Sequence, residues 1–114
     1  MFGLFKSDAK HYSNIDAAEF ANLMKEEDHV VLDVRSPQEQ LEGAIPGNIL
    51  INLFDPSFKQ KIEKLDKSKT YLIYCRSGNR SKTVCSMMSS MGFEHLYNLR
   101  GGIYAWNQLK AVNH

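Results

Sequence analysis

Cysteine is scarce in this chain, with only two among 114 residues. With no signal-peptide pattern beside them, they fit a reducing cytoplasm, which is the expected location. Charge of one sign is also missing: 14 basic against 13 acidic residues leave a net +1. Neither nucleic acid nor an acidic membrane surface is therefore expected as a partner. No apolar run is long enough to span a bilayer, and the opening Met1-Phe2-Gly3-Leu4-Phe5-Lys6 is too short even for a signal h-region. Four dispersed histidines suggest no metal site, and no cofactor is implied. Internal repeats, low-complexity tracts and linkers are absent. The lysines between Lys59 and Lys69 alternate with apolar residues and read as a solvated helix face.

What is present is ordinary for a globular protein, with 43% apolar and 24% charged residues in a length that suits one core. Residues 1–12 read as a flexible N-terminal segment and 13–114 as one domain. A monomer is the default. Strand-like and helix-like segments alternate. Val30-Val31-Leu32-Asp33-Val34 is the continuous β-branched run of a strand buried on both faces. Asn48 to Leu53, Tyr71 to Tyr74 and His95 to Leu99 read as further strands. Helices are expected over Ala17–Met24 behind Asp16, from Ser36-Pro37 to Gly43, over Pro56–Leu65, from Asn79 or Arg80 to Met91, and over Gly102–Leu109. Asp16/Glu19 has capping-box spacing, and Ser36-Pro37 an N-cap followed by proline at the first helical position. Val84, Met87, Met88 and Met91 mark the inward stripe of the fourth helix. Such alternation predicts an α/β fold, a mostly parallel sheet with helices on both faces. Ligands in such sheets bind beyond the carboxyl ends of the strands.

Cys75 stands at that place. It ends the apolar run Tyr71-Leu72-Ile73-Tyr74 and opens Cys75-Arg76-Ser77-Gly78-Asn79-Arg80-Ser81, just before a helix. Converging backbone N–H groups, the helix dipole and two arginines all favour thiolate over thiol. A cysteine of pKa about 8.5 is only about 3% thiolate at pH 7, and a drop of about two units makes thiolate the majority form. Four residues separate Cys75 from Arg80. A loop this short turns its N–H groups, from about Arg76 to Arg80, toward one spot above the sulfur. Gly78 permits a positive φ at the bend. Cys85 lies too far along the helix to serve as a resolving thiol, is angularly off the apolar stripe, and reads as a packing residue.

Three segments together resemble a single-domain rhodanese, a sulfurtransferase homology domain. Leu32-Asp33-Val34-Arg35-Ser36-Pro37-Gln38-Glu39, continued through Gly43-Ala44-Ile45-Pro46-Gly47, is similar to the first family signature. Cys75 to Ser81 is similar to the active-site loop, and Leu99-Arg100-Gly101-Gly102-Ile103 to Trp106 to the C-terminal signature. The family often has histidine where this chain has Ala44 and alanine where it has Asn48. Neither position carries sulfur chemistry. The resemblance implies a rhodanese-like fold and a Cys75 persulfide, loaded from thiosulfate or glutathione persulfide and emptied onto cyanide, a thiol or a protein cysteine. Arg76, Ser77, Gly78, Asn79 and Arg80 are the expected substrate-binding loop, with Arg76 facing solvent to steer anionic donors. Arg80 is expected to pair with an acid of the first signature. Asp33, Arg35 and Glu39 are expected to support the loop. Arg35 and Glu39, four apart, also have the spacing of an ordinary surface ion pair.

Two other readings stay open. One is a cysteine-dependent phosphatase or arsenate reductase: related phosphatases use a similar cysteine–arginine loop, but with five intervening residues to cradle a tetrahedral phosphate, and this chain has four. A sulfur carrier or interaction module with little small-molecule turnover is the other, and a protein sulfur donor or acceptor would then be the partner.

Overall fold

Five parallel strands in the order β1-β5-β4-β2-β3 form the centre of the computed structural model, which describes residues 11–112. The strands are β1 (Tyr12–Ile15), β2 (His29–Asp33), β3 (Ile49–Leu50), β4 (Thr70–Tyr74) and β5 (His95–Leu99). The helices are α1 (Ala17–Leu23), α2 (Pro37–Leu41), α3 (Phe58–Glu63), α4 (Asn79–Ser90) and α5 (Gly102–Val112). Successive side chains of a strand point to opposite faces, so each central strand feeds two cores. Leu32, Tyr71 and Ile73 pack with Phe58, Ile62, Val84 and Met88 beneath α3 and α4. Val31, Leu72 and Tyr74 pack with Phe20, Ile103 and Trp106 beneath α1 and α5. β4 is the middle strand, and Tyr71 through Tyr74 are all buried. Whatever follows Tyr74 therefore emerges at the centre of the sheet's carboxyl edge.

Several expectations need correction. The flexible segment drawn over residues 1–12 runs too far, because Tyr12 begins β1 and pairs with Leu96; residues 1–10 of that assignment lie outside the described residues. β1 has no strand signature of its own. It is polar at Ser13 and Asn14 and depends on its parallel partner β5. β3 is two residues long rather than six. Ile51 and Leu53 still donate to the Asp33 and Val34 carbonyls, but the Asn52 side chain caps a turn through the Phe54 N–H. α3 starts at Phe58 rather than Pro56, because Asp55 holds the preceding residues in a turn closed by the Ser57 N–H and hydroxyl. The Ser36/Glu39 capping box closes in both directions, whereas Asp16 only accepts from the Glu19 N–H.

α4 is rotated relative to its apolar pattern. Its buried residues are Ser81, Val84, Cys85 and Met88, while Met87 and Met91 are half-buried at the margin of the same core. Ser81, Cys85 and Met88 stand at i, i+4 and i+7, one helical face. Cys85, expected off the stripe, is therefore a core residue. A polar contact in the first turn, from Ser81 to Cys75, accompanies this rotation.

Candidate active site

Cys75 follows β4 directly and is 1% exposed. Its Sγ accepts from the Gly78 N–H at 3.2 Å and the Ser81 N–H at 3.3 Å, and the Ser81 hydroxyl lies 3.3 Å away. Gly78 makes this cup possible. Its φ of +102° turns the loop back over the sulfur, and a Cβ there would meet the Leu99 carbonyl and Gly101 N–H at 3.2 Å. A second glycine closes the other side: a Cβ on Gly102 would lie 2.3 Å from the Arg76 carbonyl oxygen. Without it, α5 could not approach closely enough for the Ile103 N–H to bond the Cys75 carbonyl at 3.0 Å.

Burial pushes the Cys75 thiol up, but hydrogen bonds from the Ser81 hydroxyl and N–H, the Gly78 N–H and the Ser77 N–H outweigh it. The net shift is down. This extends the expectation in one respect: the N–H groups that reach the sulfur include Ser81, one residue beyond the expected span. The charge of Arg80 favours the Cys75 anion as well. Arg76 is exposed, with its guanidinium carbon 5.8 Å from the Tyr104 ring centre. Arg80 is engaged by Glu39 in a two-pronged pair, Nη1 to Oε1 at 2.9 Å and Nη2 to Oε2 at 2.7 Å. Arg80 holds the Glu39 carboxyl down to about 2. The pairing of Arg80 with an acid of the first signature thus forms, and that acid is Glu39.

Glu39 is held in place from behind. Its Oε1 also accepts from the Ser36 N–H at 3.1 Å and the Ser36 hydroxyl at 3.2 Å, so one carboxylate caps α2 and anchors α4. Arg35 does not form the i, i+4 surface pair with Glu39. It is 3% exposed and turns inward to Asp33, itself fully buried, with Nη2 to Oδ2 at 2.8 Å and Nε to Oδ1 at 3.0 Å. Nη1 and Nη2 then donate to the Glu39 and Gly43 carbonyls at 3.3 and 2.7 Å, fastening α2, which buries no residue of its own. The Tyr74 hydroxyl donates to Asp33 Oδ2 at 2.7 Å and accepts from the Ile45 N–H at 3.1 Å. Burial pushes that phenol up, and the neighbouring Asp33 adds to it. Asp33 and Arg35 are thus part of the scaffold beneath α2, while Glu39 passes their position on to Arg80.

Several contributors were missed. Ser81 closes the loop segment in sequence, and its spacing alone assigns it no role. Asn98, 1% exposed on β5, donates through Nδ2 to the Gly78 carbonyl and to Asn14 Oδ1, and its Oδ1 accepts from the Ser81 hydroxyl. An asparagine inside the apolar strand Leu96-Tyr97-Asn98-Leu99 was a usable signal, because a buried polar group needs partners. Tyr74 reads in sequence as one more apolar residue. Phe54, 66% exposed with Arg80 over its ring, and Tyr104, 56% exposed, flank the loop. A cavity of about 110 Å³ beside the loop is lined by residues including Arg35, Glu39, Gly43, Arg76 and Tyr104. Among the described residues no cluster of acids, cysteines and histidines could hold a metal, and no helix is long and apolar enough to cross a membrane.

Comparison with known proteins agrees with this architecture. The Rhodanese-like domain family matches residues 16–109. YtwF of Bacillus subtilis is 41% identical over 81 residues, covering 71% of this chain and 76% of that protein. The thiosulfate sulfurtransferase GlpE of Coxiella burnetii is 32% identical over 95 residues, 83% of this chain and 87% of that one. A rhodanese-related protein from Thermoplasma volcanium superposes with a TM-score of 0.75 at 32% identity, covering 86% of this chain and 93% of that one. Matched over nearly its whole described length, the chain belongs to the rhodanese-like family.

Proposed function

We propose that this protein is a sulfurtransferase that carries a sulfane sulfur on Cys75. The observation that carries the reading is the cup of donors around Cys75 Sγ at the carboxyl end of the central strand. In the first half-reaction the Cys75 thiolate attacks the outer sulfur of thiosulfate or of a glutathione persulfide. An S–S bond forms at Sγ, the donor's S–S bond breaks, and sulfite or the thiolate leaves with the electron pair. The negative charge then sits on the outer sulfur of Cys75–S–S⁻. In the second half-reaction cyanide or a thiolate attacks that outer sulfur and returns the Cys75 thiolate.

Each residue has a part in this scheme. The Gly78, Ser81 and Ser77 donors hold the thiolate. Arg76, exposed at the mouth, attracts anionic donors. Arg80, Glu39, Arg35 and Asp33 keep the loop's far end in position. Ser77 and Asn79 contribute backbone to a loop of four residues, which suits one sulfur atom better than a tetrahedral phosphate.

Intact mass after incubation with thiosulfate tests the reading. We expect one added sulfur on the native chain, none on Cys75→Ser, and its removal by cyanide with thiocyanate released. No uptake by folded, reduced protein from either thiosulfate or glutathione persulfide refutes it, and aryl phosphate hydrolysis then becomes the next assay. The exposed aromatic rings of Phe54 and Tyr104 at the mouth favour a second reading, a carrier that exchanges sulfur with a protein. Fast uptake with slow release to small acceptors distinguishes it.

A further inference from the structure

Asn98 is a buried polar side chain that the chemistry above leaves unused. Its Nδ2 donates to the Gly78 carbonyl at 3.3 Å and to Asn14 Oδ1 at 2.8 Å. A carbonyl oxygen only accepts, so this contact fixes the orientation of the amide and turns Oδ1 toward Ser81. The Ser81 hydroxyl therefore faces two acceptors, Asn98 Oδ1 and Cys75 Sγ. A hydroxyl carries one proton and serves one of them at a time. With Cys75 as a thiol every group is satisfied: the S–H donates to Ser81 Oγ, and the Ser81 O–H donates to Asn98. With Cys75 as a thiolate the two acceptors compete for the same proton.

We propose that the Ser81 hydroxyl is a two-position switch set by Asn98, resting on Asn98 Oδ1 while Cys75 is a thiol or a persulfide and turning to Sγ in the thiolate. The persulfide arm rests on the sulfur-transfer reading; the thiol and thiolate arms do not. Ionisation sends the thiol proton to solvent. Sulfur uptake forms the Sγ–S bond and moves the negative charge to the outer sulfur, which leaves Sγ neutral and returns the hydroxyl to Asn98. Asn98 is thus a positioning residue. By competing for the Ser81 proton it keeps the thiolate basic, and a more basic thiolate is the better nucleophile. Arg80 and Cys85 of α4 also sense the charge on Cys75, and at the end of β2 Asp33 and Arg35 pair with each other. All four are the same in every variant below.

The test titrates thiolate absorbance and measures alkylation rate per thiolate, without any sulfur donor, for Asn98→Leu, Ser81→Ala and the double variant. Loss of the Asn98 acceptor should raise the Cys75 ionisation constant about tenfold and slow alkylation per thiolate about threefold. Ser81→Ala should lower the ionisation constant. In the S81A background Asn98→Leu should change neither quantity. The proposal is overturned if Asn98→Leu lowers the ionisation constant, or changes it by the same factor with and without Ser81; either result reduces Asn98 to plain loop support. Should Asn98→Leu not fold, Asn98→Asp is read in both backgrounds. A larger fall in the ionisation constant with Ser81 present supports the switch, and equal falls overturn it. A protein that fails to take up sulfur would strike the proposed function and leave these readouts standing.

Discussion

The chain's two cysteines are equally hidden, at 1% and 0% exposure, yet they shift in opposite directions. Burial pushes the Cys85 thiol up, and the charge of Cys75 adds to it. Burial pushes at Cys75 as well, but there Ser81, Gly78 and Ser77 supply donors that reverse the shift. Burial alone makes a thiol inert; burial beside preorganised donors makes it an anion site. The difference lies in ten residues of sequence and in where α4 begins.

Exchanging the two thiols should break the comparison most sharply. Cys75→Ser should abolish sulfur uptake, while Cys85→Ser should leave uptake intact and, by burying a hydroxyl in the core, cost about 1–3 kcal/mol in stability. Mass spectrometry and urea unfolding of the two variants check this. Uptake surviving in Cys75→Ser would reverse the assignment.

The scaffold under the active thiol comes next. Asp33→Ala strands Arg35 as a buried unpaired cation and takes an acceptor from the Tyr74 hydroxyl. We expect a loss of about 3–5 kcal/mol in denaturant unfolding, with activity falling as α2 loosens. Unchanged unfolding together with full activity would show that neither the pair nor α2 matters to the loop.

Glu39 gives a smaller, pH-dependent effect. Its folded-state pKa of about 2 lies below the ordinary 4.5, so its contribution is complete above pH 4.5. That contribution is lost progressively as pH falls through about 2. For this partly solvated pair it is on the order of 1–2 kcal/mol after screening. Glu39→Gln should be less stable at pH 7 by about this amount, and the gap should narrow at pH 3. A gap independent of pH would place the effect outside the ion pair.

Arg76→Ala should change least. Arg76 is exposed, so unfolding should move by less than about 0.5 kcal/mol. Uptake from an anionic donor should fall a few-fold at low salt, with the difference shrinking as ionic strength rises. A rate insensitive to both the residue and salt would remove steering from its role.

Much of this site was legible beforehand because it is local. Cys75 at a strand end, Gly78 at a bend, the Ser36 N-cap with Pro37 behind it and a helix starting at Asn79 or Arg80 all follow from residues within a few positions of one another. The errors arose where partners are remote. Spacing leaves Arg35 and Glu39 open as a surface pair; the fold decides against it, because the buried carboxylate of Asp33 is a better-shielded partner for Arg35 and Glu39 meets Arg80, 41 residues away. β1 could not be seen because Tyr12, Ser13, Asn14 and Ile15 become a strand only when β5 lies alongside. The rotation of α4 was misjudged because its methionines look more apolar than Ser81 and Cys85, while a serine facing a buried sulfur is satisfied there.

Alternating β-branched and amphipathic segments, read from the sequence by itself, determined an α/β sheet with Cys75 at its carboxyl edge, since strand and helix periods are short-range properties of the chain. Only the tertiary structure decided which groups touch the sulfur and what holds them. Those contacts join β5 to α4 and α2 to α4, and a hydrogen bond between distant segments leaves no periodic trace in either. The Cys75 loop could be named from its own residues, whereas its chemistry depends on Ser81 and Asn98 meeting across the sheet.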